Sequence, residues 1–508
     1  MSTIIKINHK TSRMDTEKYS SLHELDYSVK KEEPDSDKET IFQETTLKRH
    51  LTLFSVVVML VSVTGHIAVF ITPGSILHMS GSVVTTLVIL CVGSLLVYTQ
   101  ALCFTEMGCM FQSAGGAYLY LTLTFGNMYG FLVVWGYIIL ISGPFIALAS
   151  QIAALYVIKA VTSNSSCNLW WHEVAVHLLA GWLLLTLAVF NCFFLRVLVR
   201  MQSFFTACKM LAIGIIIVGG IYFSLTDSAL NITEPLEGSH FEPGRISLAI
   251  LYVIFSTGGW QSVTTLTEEV KNPARILPLA VHITFAVVVF LFLLTYTSYM
   301  VVLEKQDIIE AKALALMFCQ HLWSPLVPVM LILVALTCVG TLSTTIMGHS
   351  RMLFAAARKG DMPSLLCTVH PTKRTPVMAI CAVILNGFIM MYSGGMVKLM
   401  QFIGLYSMIM GLKVVVALLY LRLTKPQLPR PYKVPLFVPV LQVFTTMGLL
   451  CLIIFQEPRW MSVGVLISLS GIPVYLVGVR WRNKPKSYIR FIGYLTACIQ
   501  KLLNLVPC

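Results

Sequence analysis

The sequence predicts an all-α polytopic membrane protein: twelve transmembrane helices, a five-plus-five inverted repeat, and breaks in helices 1 and 6. Three observations predict it. Of 508 residues, 56% are hydrophobic and only 12% are charged, about half the charged share of an ordinary soluble domain, and the mean hydropathy is +0.80. Apolar stretches of about 20 residues, the length that crosses a bilayer core, recur from residue 51 almost to the end. Helix-breaking residues interrupt the first and the sixth of these stretches.

Residues 1–50 form a polar tail, expected to be cytoplasmic and disordered. Its middle, VKKEEPDSDKET, is of mixed charge and almost free of large apolar groups, so it buries too little surface to offset ordering entropy. It either regulates or solubilises, and no cleaved leader is expected. The transporter domain, 51–480, divides into spans at approximately 51–76, 82–104, 122–158, 172–194, 203–224, 247–265, 279–303, 325–349, 376–393, 399–421, 435–455 and 462–479. Two short apolar pieces, 105–118 and 306–321, fall between spans and read as re-entrant or surface helices. The last segment, 481–508, is basic and then amphipathic, and is expected to lie along the inner leaflet.

Basic residues set the orientation. With both termini cytoplasmic, the outer segments hold only Lys159, Arg245, Lys305, Lys312, Lys398 and Arg459 of the 36 Lys and Arg, and Lys209 and Lys413 lie within spans. The rest are inner. The net charge of +13 is thereby a topology signal and a contact with anionic lipid, and nucleic acid is not an expected partner. The sequons at Asn164 and Asn231 fall in outer loops, as glycosylation requires.

Most of the 13 cysteines sit in spans or on the cytoplasmic side, where thiols stay reduced. Cys167 stands in the outer loop VTSNSSCNLWW. On chemistry alone it is free, paired with Cys319, or linked to another protein.

The first span contains VTGHIAVFITPG, residues 63–74, and the sixth contains IFSTGGWQSV, with Thr257-Gly258-Gly259 in mid-membrane. Interrupted spans at matching positions of two halves point to a transporter's binding site, where freed backbone groups and half-helix ends meet a carboxylate and an amine. The alternative is a packing kink where glycine lets helices approach. Lys209 in span 5 is costly at a helix centre; it either faces a polar interior, where a fixed ammonium replaces a transported cation, or snorkels to the inner surface. Lys413 in span 10 raises the same question without a partner.

Four stretches identify a family: SAGGAYLYL (113–121), TLTEEVKNPARILPLA (265–280), SRMLFAAARKGDMP (350–363) and RPYKVPLFVPVL (430–441). The chain resembles the light subunits of heteromeric amino acid transporters, the L-type branch of the amino acid–polyamine–organocation superfamily, from about residue 48 to the end. Within that family it resembles the cystine/glutamate exchanger, above all over 430–508. The resemblance implies twelve helices, a midplane amino acid site at the two breaks, and a plasma-membrane heterodimer. It implies that Lys209 substitutes for a bound sodium ion, that Phe255 gates the site, and that Gly258 and Trp260 belong to the Gly-Gly-Trp segment. It also implies that Cys167 forms the disulfide to a single-pass heavy-chain glycoprotein.

Departures from the family pattern fall at the site itself. The first break normally reads Gly-Ser/Ala-Gly-Ile-Phe, and anchoring on Phe70-Ile71-Thr72-Pro73 puts His66, Ile67 and Ala68 at its first three positions. The break therefore moves to Gly65, Ile67 fills space meant for substrate, and His66 is either a proton-sensitive site residue or a packed interior histidine. Where the acidic-substrate exchanger places arginines in helices 3 and 10, this chain has Ser142 and Ser407. A buried substrate carboxylate without a cation is expensive, so neutral amino acids or cystine are the expected cargo.

The expectation is a sodium-independent exchanger working by alternating access. Gly65, His66, Ile67 and Ala68 take the α-carboxylate, the carbonyls around Phe255–Gly258 take the amine, and Ser142, Thr257 and Ser407 line the side-chain pocket. The competing possibility is a transport-impaired relative acting as a partner-binding or sensing subunit. No phosphate-binding Gly-x-x-x-x-Gly-Lys-Ser/Thr loop, metal-ligand spacing or K⁺-filter sequence occurs, so neither an enzyme, a metal site nor a cofactor is expected.

Overall fold

The computed structural model describes residues 51–65, 67–111, 115–162, 169–226, 236–260, 267, 270–373, 375–481, 486–503 and 505–507. The expectations for the N-terminal tail, His66, Asn164, Cys167 and Asn231 lie outside them. Among the described residues, ten helices are long and apolar enough to cross a membrane, and two further apolar helices, Pro243–Ser256 and Val377–Met391, are shorter. The chain is a polytopic helical membrane protein.

The first span is two helices, α1 (Leu53–Val63) and α2 (Thr72–Ser80). At 1.5 Å per residue the 11 residues of α1 reach only about 16 Å, so neither piece crosses alone. Pro73 opens α2 where its missing N–H costs nothing, and Gly81, at φ +82°, closes it in the left-handed region. The next helix, α3 (Val83–Met110), is capped by Ser82, whose hydroxyl accepts the Thr85 N–H at 3.3 Å. It absorbs the beginning of the piece expected between spans 2 and 3, and residues 116–118 of that piece open α4 (Gly116–Phe125).

The expected third span, 122–158, is not one helix. Gly126, at φ +97°, separates α4 from α5 (Asn127–Gly136), and a π-helical turn at Tyr137–Ser142 joins α5 to α6 (Gly143–Thr162). The turn has a physical cause: Asn386 donates from Nδ2 to the Ile138 carbonyl at 2.6 Å, inserting a side chain into the ladder.

The remaining membrane helices are α7 (Leu169–Phe193), α8 (Leu195–Thr226), α9 (Pro243–Ser256), α10 (Pro273–Val302), α13 (Val327–Arg358), α14 (Val377–Met391), α15 (Met396–Thr424), α16 (Phe437–Gln456) and α17 (Pro458–Tyr475). Between α10 and α13, the piece expected at 306–321 forms two short helices, α11 (Lys305–Glu310) and α12 (Leu314–Leu322). The amphipathic C-terminal segment forms α18 (Lys486–Leu503) and ends in strand Val506–Pro507, antiparallel to Thr368–Val369.

Three packing relations place the site. The half-helix α9 packs between α2, α3 and α15; α10 crosses α1, α3 and α8; and α13 lies across α6 and α8. Cys319 is buried and free; Cys167, its possible partner, lies outside the described residues. Cys367 departs from the expectation of reduced inner thiols, being disulfide-bonded.

Candidate functional site

The break in the first span begins at Thr64, whose N–H and hydroxyl both donate to the Leu60 carbonyl, at 2.8 and 2.6 Å. Gly65 follows at φ +70°, and a Cβ there would stand 2.7 Å from Phe292 Cζ on α10. Both conformation and space therefore demand glycine. Ile67, Ala68, Val69 and Phe70 are all fully buried. The last three make a 3₁₀ turn that leads into α2, with Ile71 donating to the Ala68 carbonyl at 3.0 Å. Among the described residues, the N–H groups of Ile67 and Ala68 find no acceptor, although buried backbone donors are nearly always paired.

The break in the sixth span has the same logic and a different surface. Thr257 ends α9 by donating twice to the Val253 carbonyl, from its N–H and its hydroxyl, each at 2.8 Å. Gly258 follows, then Gly259 at φ +106°. The Trp260 indole folds back, donating to the Thr257 carbonyl at 2.6 Å. Gly258 and Gly259 are only partly buried, whereas Phe255 is 3% exposed.

Two side chains join these breaks to the rest of the bundle. Lys209, on α8, is 5% exposed and donates from Nζ to the Ser62 carbonyl at 2.8 Å and the Val61 carbonyl at 3.3 Å. These are orphan carbonyls at the C-terminal end of α1, where the helix dipole favours a cation. Lys209 thus faces the interior and does not snorkel. Tyr296, on α10, shares a 2.6 Å hydrogen bond with Thr72 at the start of α2 and meets the Ser256 hydroxyl at the end of α9. One phenol touches both broken helices.

A narrow cavity opens beside the sixth-span break. Val97, Gln100, Ala101 and Phe104 of α3 form one wall; Ile254, Gly258 and Trp260 form the second, and Ser407 of α15 the third. No charged side chain lines it. A second crevice shares Val97, Gln100 and Ile254 and runs on toward Gln442 and Thr446 of α16. Of the residues expected at the site, Gly258 and Ser407 come together here. Gly65, Ile67 and Ala68 gather at the other break. Ser142 is fully buried in the π-helical turn, its hydroxyl without a partner among the described residues, and lines neither crevice. Thr257 turns its hydroxyl back into α9. Lys413 stands 5.8 Å from the centre of the Tyr406 ring. Among the described residues, no group of three or more His, Cys, Asp or Glu is placed to hold a metal ion.

Sequence reasoning missed three things. Gln100 is a polar residue inside an otherwise apolar stretch of span 2, which is a readable signal. Tyr296 carries no signal in an aromatic-rich span. The third is a buried ion pair: Glu106, near the C-terminal end of α3, is clamped by the Arg422 guanidinium of α15. Arg422 Nε lies 3.0 Å from Glu106 Oε1, and the Val434 N–H donates to the same carboxylate at 2.8 Å. Glu106 is thereby satisfied by charge and backbone together. The pair ties the C-terminal ends of α3 and α15, two of the elements that wall the cavity.

An amino acid permease family model matches residues 51–479, and the chain belongs to that family of amino acid transporters. It is 30% identical to the human (Homo sapiens) cystine/glutamate transporter over 465 residues, covering 92% of each chain. It is 31% identical to the human large neutral amino acids transporter small subunit 2, covering 91% of this chain and 86% of that one. The Asc-type amino acid transporter 1 of Mus musculus is 29% identical, with 91% and 87% covered. The first two are named for different cargo, cystine and glutamate against large neutral amino acids, so substrate does not follow from the similarity alone.

Proposed function

We propose that the chain is a sodium-independent exchanger of neutral amino acids or cystine that works by alternating access. The observation that carries this is the pair of breaks. At the first, two buried backbone N–H groups, Ile67 and Ala68, lack acceptors among the described residues; a substrate carboxylate supplies them. At the second, partly exposed Gly258 adjoins the cavity, and the carbonyls around Phe255–Gly258 take the α-amine. Phe255 closes the outer side. Lys209 holds the carbonyls of Val61 and Ser62 with a fixed positive charge, which makes a sodium ion there redundant. The uncharged cavity lining, with Ser407 in it, favours a neutral side chain, and Ser142 supplies no cation.

The ten long and two shorter apolar helices fit a twelve-helix, five-plus-five inverted repeat, with both termini cytoplasmic. The domain limits are 1–50, 51–480 and 481–508. The chain is the light subunit of a plasma-membrane heterodimer, joined through Cys167 to a single-pass heavy-chain glycoprotein, with Asn164 and Asn231 as glycosylation candidates. His66 belongs to the carboxylate subsite.

A second possibility has a specific observation behind it. Ile67 through Phe70 are completely buried and Phe292 closes on Gly65, so the first break is packed as a transport-impaired sensing subunit would be. One experiment separates the two: sodium-free uptake of labelled neutral, anionic and cationic amino acids and cystine into preloaded cells. Cells carrying the chain with each heavy chain are compared with cells carrying that heavy chain alone. Exchange predicts trans-stimulated uptake of neutral amino acids or cystine. No uptake from a heterodimer shown at the surface, with uptake restored by His66→Gly and Ala68→Gly together, identifies the impaired subunit.

A further inference from the structure

Two polar side chains in the cavity are left over. Neither the Gln100 amide nor the Ser407 hydroxyl makes a hydrogen bond among the described residues, and both line the same cavity between α3, α9 and α15. The rest of the lining is apolar: Val97, Ala101, Phe104, Ile254 and the Trp260 ring, with Gly258 between them. Many small hydroxyls in these spans bond to their own helix, as Thr105 does on Ala101 at 2.8 Å and Thr337 on Leu333 at 2.8 Å. Among the described residues Ser407 does not, nor do Ser94, Ser142 and Thr284, but of these four only Ser407 lines the cavity.

The position of Gln100 is also built. Gly411, one turn below Ser407 on α15, lies so close that a Cβ there would fall 1.5 Å from Gln100 Nε2. Any other residue at 411 would push the amide out of its place. Gln100 also lines the second crevice, where its neighbours Gln442 and Thr446 are already occupied. Thr99 donates to Gln442 Oε1 at 2.6 Å, and Gln442 donates to Thr446 at 3.2 Å. Among the described residues the Gln100 amide makes no such bond.

We infer that Gln100, seconded by Ser407, is a specificity residue that selects neutral amino acids whose side chains themselves carry a hydrogen-bonding amide or hydroxyl. This rests on the amino acid site proposed above. An amide offers one acceptor oxygen and two donor hydrogens, so it pairs reciprocally with a side-chain amide and singly with a hydroxyl. An aliphatic side chain of the same size leaves it unpaired in a desolvated place, which costs far more than a weaker contact. A carboxylate would gain one donor from Gln100 and find no cation. Selection by a buried polar group against an isostere that lacks the partner is the strong form of discrimination.

The test uses the purified full chain and near-isosteric pairs, glutamine against methionine and serine against alanine. Affinity is read as amino-acid-dependent thermal stabilisation, so that it registers without transport. The wild type is expected to favour glutamine over methionine by about tenfold, one charge-free hydrogen-bond pair's worth. Gln100→Met is expected to bring that ratio to near one. Gly411→Ala, which displaces the amide while keeping it, is expected to shift the ratio the same way. Two outcomes overturn the inference alone: neutral amino acids stabilise the wild type without preference, or the ratio is unmoved in a folded Gln100→Met. If no neutral amino acid stabilises the wild type, the amino acid site itself is refuted and the inference falls with it.

Discussion

The two breaks are built from the same residue types and differ in what fills them. At the first, Gly65 sits against the Phe292 ring and the following four described residues are wholly buried. At the second, Gly258 and Gly259 remain partly exposed and one of them borders a cavity. The first break is held by a cation on its carbonyls, the second by its own Thr257 and Trp260. On the proposed function the difference separates two jobs. The closed break, whose N–H groups lack acceptors among the described residues, would serve the part common to all amino acids. The open break beside the cavity would serve the part that differs.

The largest effect should come from the clamp that holds the cavity's walls. Arg422→Ala leaves the Glu106 carboxylate buried and unpaired, which costs about 3–5 kcal/mol. Replacing both, Glu106→Gln with Arg422→Met, should recover much of that loss. Thermal unfolding of the purified chain near pH 7 reads both, and equal losses would show that the pair does not hold α3 to α15.

Lys209→Met removes a charged donor from the Val61 and Ser62 carbonyls, worth about 1.5–3 kcal/mol. We expect exchange to fall by on the order of tenfold or more while surface heterodimer persists. Unchanged uptake would mean that the C-terminal end of α1 needs no fixed charge, and that the two breaks are less different than described.

Gly65→Ala against Gly258→Ala compares the breaks directly. At Gly65 a side chain meets both a left-handed φ and the Phe292 ring, and strain of this kind costs about 1–3 kcal/mol. At Gly258 the backbone lies outside the left-handed region and the nearest obstacle is the Ile254 carbonyl at 3.0 Å, so a smaller loss of stability is expected. The reverse order in the melting temperatures would undo the contrast.

Much of this was legible in the sequence because it depends on single residues. Gly65 and Pro73 announce the first break, Thr257-Gly258-Gly259 the second, and a lysine in mid-membrane demands the polar interior that Lys209 finds. What stayed hidden depends on pairs brought together by folding. Glu106 and Arg422 are 316 residues apart, and nothing local marks them as partners. Ser142 reads as a pocket residue until the π-helical turn, imposed by distant Asn386, is seen to carry it. The cavity wall on α3 was missed although Gln100 is visible in the sequence, because its place beside Gly411 of α15 appears only on folding.

The most direct measurement is efflux of a labelled neutral amino acid from proteoliposomes holding the full chain, with all sodium replaced by choline. Efflux should be slow into amino-acid-free medium and rise several-fold when an unlabelled neutral amino acid is added outside. Efflux that ignores the outer amino acid, or responds only when sodium is returned, would contradict sodium-independent exchange at the paired breaks.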